Sequence, residues 1–545
     1  MTKPRRTFIF ITGGVISGVG KGVATASIGA LLKARGLKVT AIKIDPYINV
    51  DAGTMNPIEH GEVFVTKDGY ETDQDIGNYE RYLDEDITSE NYMSTGRVYQ
   101  AVIQRERSLG YGGKQVAVVP HVPLEVIRRI KAAAELHDAD VTMIEIGGTV
   151  GEYENLLFLE AARMLKFEFP QDVLIGLVSY LPIPGSLGEM KSKPTQLAIR
   201  ALHATGLQPD FLIGRSSHSI DEPRKEKIAL YCSMQMEDIL SAPDVKSIYE
   251  VPLRLEEQGL TDRILSKLKL RTRAKNLQPW EDLFRRITSS TKPVRIGIVG
   301  KYISTGDFTL SDAYISVLEA LKHAAWALHR KPEFVWLNSE EFEQNPKAMA
   351  VALKGVDGIL VPGGFGTRGV EGKIMAVRYA REKKIPYLGL CYGLQMAMIE
   401  FARDVLGWKD ANTTEVDPKT THPVIKILEG QETNIKEQKY GGTLRLGEYP
   451  CNLAKGSLAR KLYGEEHVLE RHRHRYECNP EYRAAFEKAG LCASGLSPDE
   501  RLVEIIELKN HPFFVASQFH PEFLSRPFKP HPLFLGFVKA AGAKK

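Results

Sequence analysis

The chain has 545 residues, too many for one hydrophobic core, so two or three domains are expected. Apolar residues at 43% and charged residues at 26% exclude a disordered chain, and a net charge of +4 argues against a general electrostatic grip on nucleic acid. Five scattered cysteines without a C-x-x-C pair, and no apolar run near the ~18 residues of a membrane span, argue against a disulfide framework, structural zinc and a membrane, and for a cytoplasmic protein.

In chain order, MTKPRRTFIFITGG has too short an apolar stretch for a signal peptide and runs straight into glycines. TFIFIT reads as a strand. KGVATASIGALLKARG follows as a helix, with Ala24, Ile28, Leu31 and Leu32 on one face. KVTAIKI, QVAVVP, DVTMIEIGG, DVLIGLVSY and DFLIGR are short Val/Ile/Leu runs between turn residues, the pattern of a parallel sheet covered on both faces. From about 255 the sequence is polar and helical, ending at SSTKP. A second series then begins at VRIGIVGKY and continues through EFVWLNS, GILVPGG, PYLGL and FFVASQFH. The fold class is α/β, with two domains each built on a mostly parallel sheet flanked by helices: 1–270, a linker at 271–292, and 293–545.

FIFITGGVISGVGKGVATAS runs from strand through a glycine-rich turn into a helix, a setting in which backbone N–H groups and Lys21 hold phosphates. The spacing departs from G-x-x-x-x-G-K-[ST]: five residues separate Gly14 from Gly20, and Gly22 stands where a metal-binding hydroxyl is usual. A Mg²⁺ there needs oxygen ligands from elsewhere, and the candidates are Asp75 in an acidic loop and Glu145 at the end of an apolar strand. Cations in KSKPTQ (191–196) and at Lys227 belong to the same half.

In PYLGLCYGLQM, Cys391 sits between a strand and a helix whose Leu394, Met398, Phe401 and Val405 share a face. This fits a nucleophile elbow with cysteine for serine, at a helix start that favours thiolate. QFHPE offers His520 as base and Glu522 to orient it, and GGFG (363–366) with the N–H of Tyr392 offers an oxyanion site. The alternation RHRHRYE (471–477) is expected to present a solvated face of a strand rather than a nucleic-acid patch.

With ITGGVISGVGKG, KIDPYINVDAGTMNPIEHGEVFV, ETDQDIGNYERY, EIGGTVGEYE, KSKPTQ, VPGGFGTRGVEG, LGLCYGLQ, GGTLRLG, RHRHRYE and QFHPEF together, the chain resembles CTP synthases over essentially its whole length. The resemblance implies a P-loop-type amidoligase domain followed by a class I glutamine amidotransferase. Cys391, His520 and Glu522 would release ammonia from L-glutamine. The other half would use MgATP to phosphorylate UTP, and ammonia carried through an internal tunnel would displace that phosphate to give CTP.

Carried over by position, Ser17 lies on the pyrimidine nucleotide, and Gly18, Val19, Gly20, Lys21, Gly22, Val23 and Asp75 lie on ATP. Asp75 and Glu145 match the Mg²⁺ ligands. Glu152, Tyr153, Glu154, Lys191, Ser192, Lys193, Pro194, Thr195, Gln196 and Lys227 match contacts to UTP or the inhibitor CTP. Gly364, Tyr392, Gly393, Leu394, Gln395, Glu415 and Arg475 match the glutamine pocket, His60 the ammonia passage, and Thr443 and Arg445 a segment tied to activation by GTP. A homotetramer is implied, with Arg163 supplied across subunits and filaments as a further assembly; neither nucleic acid nor membrane is an expected partner. Departures from the family pattern are GEYE, Ser192, Tyr392 after the cysteine, and Ala117 in VAVVPH, which points to a changed nucleotide contact. Rival readings are a glutamine-fed ligase for a carboxylate acceptor, and a phosphate-loop switch or filament protein with an inert thiol domain.

Overall fold

The computed structural model describes residues 5–543 apart from 187, 273, 274, 302, 303, 306, 307, 310 and 438. Two units emerge. One comprises residues up to 51 and 75–284; the other comprises 52–74 and 285 onward. The segment 52–74 groups with the second unit.

The first unit is built on a seven-stranded sheet in which every pairing is parallel. Its strands, in spatial order, are Tyr92–Ser94, Val39–Asp45, Val141–Ile146, Thr7–Gly14, Val173–Tyr180, Phe211–Ser216 and Ile239–Pro243. Thr7–Gly14 and Val39–Asp45 are buried at every position, as expected of mostly apolar strands whose two faces are both covered by helices, although Lys43 and Asp45 are buried with them. Helix Lys21–Ala34 is buried on most sides, not only along its predicted stripe. One expected strand is absent. Residues 115–117 of QVAVVP have no regular structure, and Val118 opens the helix Val118–Leu136. Val118 and Val119 are exposed, and Pro120 has no N–H to offer a ladder, so the run has neither a face to bury nor a full set of donors.

The expected linker also holds structure: Gln278–Ser289 is a helix that buries Trp280 and Leu283, with Trp280 against Tyr82 at 5.2 Å between ring centroids. Residues 273 and 274 of that stretch lie outside the described residues.

The second unit carries a nine-stranded sheet. Arg330–Asn338, Lys292–Gly300, Gly358–Val361, Tyr387–Leu390 and Phe514–Ser517 run parallel. Val503–Leu508, Leu491–Leu496, Arg445–Leu453 and His467–His474 continue it antiparallel. Apolar clusters cover both faces. Helix Tyr392–Asp404 contributes Leu394, Met398 and Phe401 to one, whereas Val405, just past its end, is exposed.

The RHRHRYE stretch overturns its expected solvated face, because Arg471, His472, His474 and Arg475 are all buried. Several of the groups that satisfy this stretch are distant in sequence. Arg471 donates to the Val65 carbonyl at 3.2 Å, Arg473 pairs with Glu71 at 2.8 Å, and His472 and His474 share a 2.9 Å hydrogen bond. Segment 52–74 therefore supplies acceptors that make charged side chains tolerable inside a sheet.

Candidate active sites

Two sites lie at the carboxyl ends of parallel strands, where open α/β sheets bind ligands. In the first unit, strand Thr7–Gly14 ends in a turn with positive φ at Val15, Gly18 and Gly20, and helix Lys21–Ala34 follows. Ser17 and Gly18 are exposed, Val19 is buried, and Lys21 is buried at the helix start, its ammonium donating to the Gly148 carbonyl at 2.7 Å. Burial lowers the Lys21 pKa.

Gly22 is explained by its neighbour: a Cβ there would stand 2.0 Å from Asp75 Oδ1. A serine or threonine hydroxyl cannot occupy that place while the carboxylate does. Asp75 and Glu145 converge on the Lys43 ammonium, in direct contact for Asp75 and at 3.0 Å for Glu145. The Tyr79 hydroxyl donates to the second oxygen of Glu145. Glu145 is fully buried, and that burial, reinforced by Asp75, raises its pKa. Two carboxylates gathered around one cation form a hard-oxygen donor set that suits Mg²⁺ completed by phosphate oxygens. Lys43 escaped notice in the sequence, although a lysine within an apolar strand was a signal; its register partner on the neighbouring strand is Glu145.

The predicted nucleotide contacts divide by exposure. Ser192, Thr195 and Gln196 are buried, Gln196 Nε2 donating to Ser192 Oγ at 3.1 Å, and Glu152 accepts from Thr149 Oγ1 at 2.6 Å. Val23 and Pro194 are partly buried. Lys191 pairs with Glu189 at 2.7 Å, whereas Tyr153, Glu154, Lys193 and Lys227 are exposed. Ala117 is exposed immediately before its helix, and Arg163 pairs with Glu160 at 2.7 Å.

In the second unit, Cys391 joins strand Tyr387–Leu390 to helix Tyr392–Asp404 with φ 49° and ψ −96°, a backbone shape that side chains other than glycine resist. Its N–H donates to the Ser517 carbonyl at 2.7 Å on the adjacent strand. That strand leads into His520, whose Nδ1 lies 2.7 Å from Glu522 Oε1. Burial opposes a charged imidazole, yet Glu522 and Cys391 outweigh it and lift the His520 pKa to about 10. Gly363 packs on the ring: a Cβ there would be 2.9 Å from His520 Cε1 and 3.8 Å from Cys391 Cβ. A cavity opens beside these residues, bounded by Pro57, Glu62 and Val63 as well as by Gly363, Cys391 and His520. His60 lies 3.7 Å from Asp73 on the same segment.

The 363–366 loop is fastened from both sides. Glu415 accepts the Gly366 N–H at 2.6 Å, and the Tyr392 hydroxyl donates to the Gly366 carbonyl at 2.8 Å. Beneath it Lys373 is wholly buried, its ammonium 5.0 Å from the Tyr392 ring, and Lys301 is 5.6 Å from the same ring. Burial lowers their pKa values, to about 7 for Lys373 and about 8 for Lys301. Neither lysine was singled out in the sequence, where each looks like an ordinary surface residue. Gly393 and Leu394 lie in the buried first turn of the helix. Arg475 is held by Gln431 at 2.7 Å and Thr443 at 3.0 Å. Arg445, by contrast, is drawn inward to Glu504 at 2.8 Å and Glu477 at 3.2 Å.

The family model described as "CTP synthase N-terminus" matches residues 7–270, and that of "Glutamine amidotransferase class-I" matches 309–540. A CTP synthase of Thermomicrobium roseum is 51% identical over 535 residues, covering 98% of this chain and 95% of its own. The chain belongs to the CTP synthase family. A second relative, the CTP synthase of Nostoc punctiforme, is 50% identical over 98% of this chain and 96% of its own. Among solved structures, the glutaminase domain of the Trypanosoma brucei CTP synthase with bound acivicin is 42% identical with a TM-score of 0.42, covering 46% of this chain and 95% of that one. Among the described residues no helix is long and apolar enough to cross a membrane.

Proposed function

We propose that this protein aminates UTP to CTP with ATP, using ammonia that its second unit frees from L-glutamine. The observation that carries the reading is the placement of the Cys391 thiol, on a strained strand-to-helix turn, beside a buried His520–Glu522 pair. Cys391 attacks the glutamine side-chain amide. His520 takes the thiol proton and returns it to the leaving ammonia, while Glu522 holds the ring and favours its charged form. The N–H of Tyr392 and those of residues 363–365 receive the oxyanion, and the fastening of the loop at Gly366 by Glu415 and the Tyr392 hydroxyl keeps these donors in place. Water then cleaves the thioester by the same route. Gly364, Tyr392 to Gln395, Glu415 and Arg475 hold the substrate, with Arg475 on its α-carboxylate.

In the first unit the 17–23 loop cradles the ATP phosphates and Lys21 reaches them. Asp75 and Glu145 would hold Mg²⁺, which when bound neutralises phosphate charge. Glu152 to Glu154, Lys191 to Gln196 and Lys227 receive UTP, or CTP as feedback inhibitor. Both sites are needed because an amide oxygen is a poor leaving group until phosphorylated and ammonium is no nucleophile. Activation by GTP, acting near Thr443 and Arg445, a cytoplasmic tetramer with Arg163 reaching a neighbour, filament assembly, and an ammonia passage by His60 complete the proposal.

The test is to supply protein, UTP, ATP and Mg²⁺ with glutamine or with ammonium. CTP from both sources is the expected result. ADP release that ignores UTP would transfer the reading to another acceptor.

A further inference from the structure

Gln518 is the residue before Phe519 in QFHPE, and none of the roles above uses it. It is wholly buried just past strand Phe514–Ser517, with its N–H on the Glu504 carbonyl at 2.8 Å. Its side chain spans two partners. Nε2 lies 3.7 Å from Cys391 Sγ, and Oε1 lies 3.5 Å from Gln395 Nε2. Gln395 Nε2 also donates to the Tyr476 carbonyl at 3.0 Å.

That carbonyl fixes the direction of the whole relay. A backbone oxygen can only accept, so the Gln395 end facing it must be the NH₂ group. The same NH₂ group faces Gln518, whose nearer atom must then be its oxygen. The Gln518 NH₂ group is left to face sulfur, so the orientation of both amides follows from chemistry and not from assignment alone. Besides His520, Sγ faces the Arg473 carbonyl at 3.9 Å, which can accept from a thiol but offers a thiolate nothing. When the S–H bond breaks and the proton joins His520 Nε2, sulfur changes from donor to acceptor. Gln518 Nε2 is a donor already in place at that moment, and a hydrogen bond to an anion is about twice as strong as a neutral one. Gln518 itself exchanges neither proton nor electron.

We infer that Gln518 is a further catalytic residue of the glutaminase centre, donating from its side-chain amide to the Cys391 thiolate, with Gln395 and the Tyr476 carbonyl positioning it. The inference rests on Cys391 being the nucleophile. Charged groups that also act on the sulfur include His520, with Glu522 behind it, and Lys373.

The test is the pH dependence of Cys391 alkylation by iodoacetamide in the full-length protein, with Cys391→Ala subtracting the other thiols. Gln518→Glu keeps the shape but replaces the donor with a carboxylate. Gln518→Leu removes the donor. Both should move the alkylation midpoint to higher pH by about one unit or more, and glutamine hydrolysis should fall about 10- to 100-fold. If Gln518→Leu does not fold, Gln395→Leu, which frees the amide to turn, should give a smaller shift of the same sign. An unchanged midpoint in the folded variants overturns the inference. Wild-type protein that still hydrolyses glutamine after complete alkylation of Cys391 overturns the underlying reading instead, and the inference with it.

Discussion

The phosphate loop and the thiol centre occupy equivalent edges of two sheets yet are assembled differently. The loop comes from one short stretch, 17–23, and the two carboxylates beside it are matched by the single ammonium of Lys43. The thiol centre draws on positions 363, 391, 415 and 520, each at the end of a separate strand or loop, and it buries Lys373 among the described residues without a hydrogen-bonding partner. Binding a phosphate needs many N–H donors aimed at one place, which a single turn can supply. Moving protons at a carbonyl needs groups of different chemistry arriving from different directions, which only convergence of strands supplies.

The comparison can be broken at either end. The largest effect is expected from Cys391→Ala: glutamine-dependent CTP formation should fall by at least about a thousandfold, with ammonium-dependent formation kept. Parallel loss with ammonium would show the two centres not to be chemically separable. Gly22→Ser is the mirror experiment. The new side chain collides with Asp75, so CTP formation from both nitrogen sources should drop on the order of a hundredfold while glutamine hydrolysis persists. Retained ligase activity would mean that Asp75 moves aside freely.

Glu522→Gln sharpens the picture of the thiol centre. Without the carboxylate, His520 should release its proton well below pH 10, and glutamine hydrolysis should fall roughly 10- to 100-fold, both read from a pH–rate profile. The linkage is explicit. Because the folded pKa is raised, the stabilisation from charged His520 is complete below about 6.5, its unfolded value, and is lost as pH rises through about 10. The smallest effect belongs to Lys373→Met. This lysine has the opposite sign: its folded pKa is near 7 against 10.5 unfolded, so its cost to folding builds up as pH falls from about 10.5 to about 7 and is complete below that. The variant should be more stable than wild type at pH 6, by about 1–3 kcal/mol, with the difference vanishing above pH 10, as thermal melting would show.

Much of this was legible in the sequence because both centres sit on strand-to-helix turns whose glycines and apolar flanks are contiguous. Cys391, His520 and Glu522 stand out for that reason, as does the loop at Lys21. What stayed hidden was pairing across long separations. Lys43 meets Glu145 from 102 positions away, and Arg473 meets Glu71 from 402 away. The burial of RHRHRYE could not be foreseen, since charged residues stay out of cores unless partners are brought to them, and here several come from segment 52–74. QVAVVP misled for the converse reason: β-branched residues favour strands only where a neighbouring strand exists to receive them.

The backbone at Cys391 has a last consequence. Its φ of 49° with ψ −96° is one that only glycine holds without resistance, so the residue proposed as the nucleophile is also a local weakness of the scaffold. An inert descendant of this protein, free to place glycine there, would be the sturdier molecule, and competence in chemistry persists only against that downhill drift.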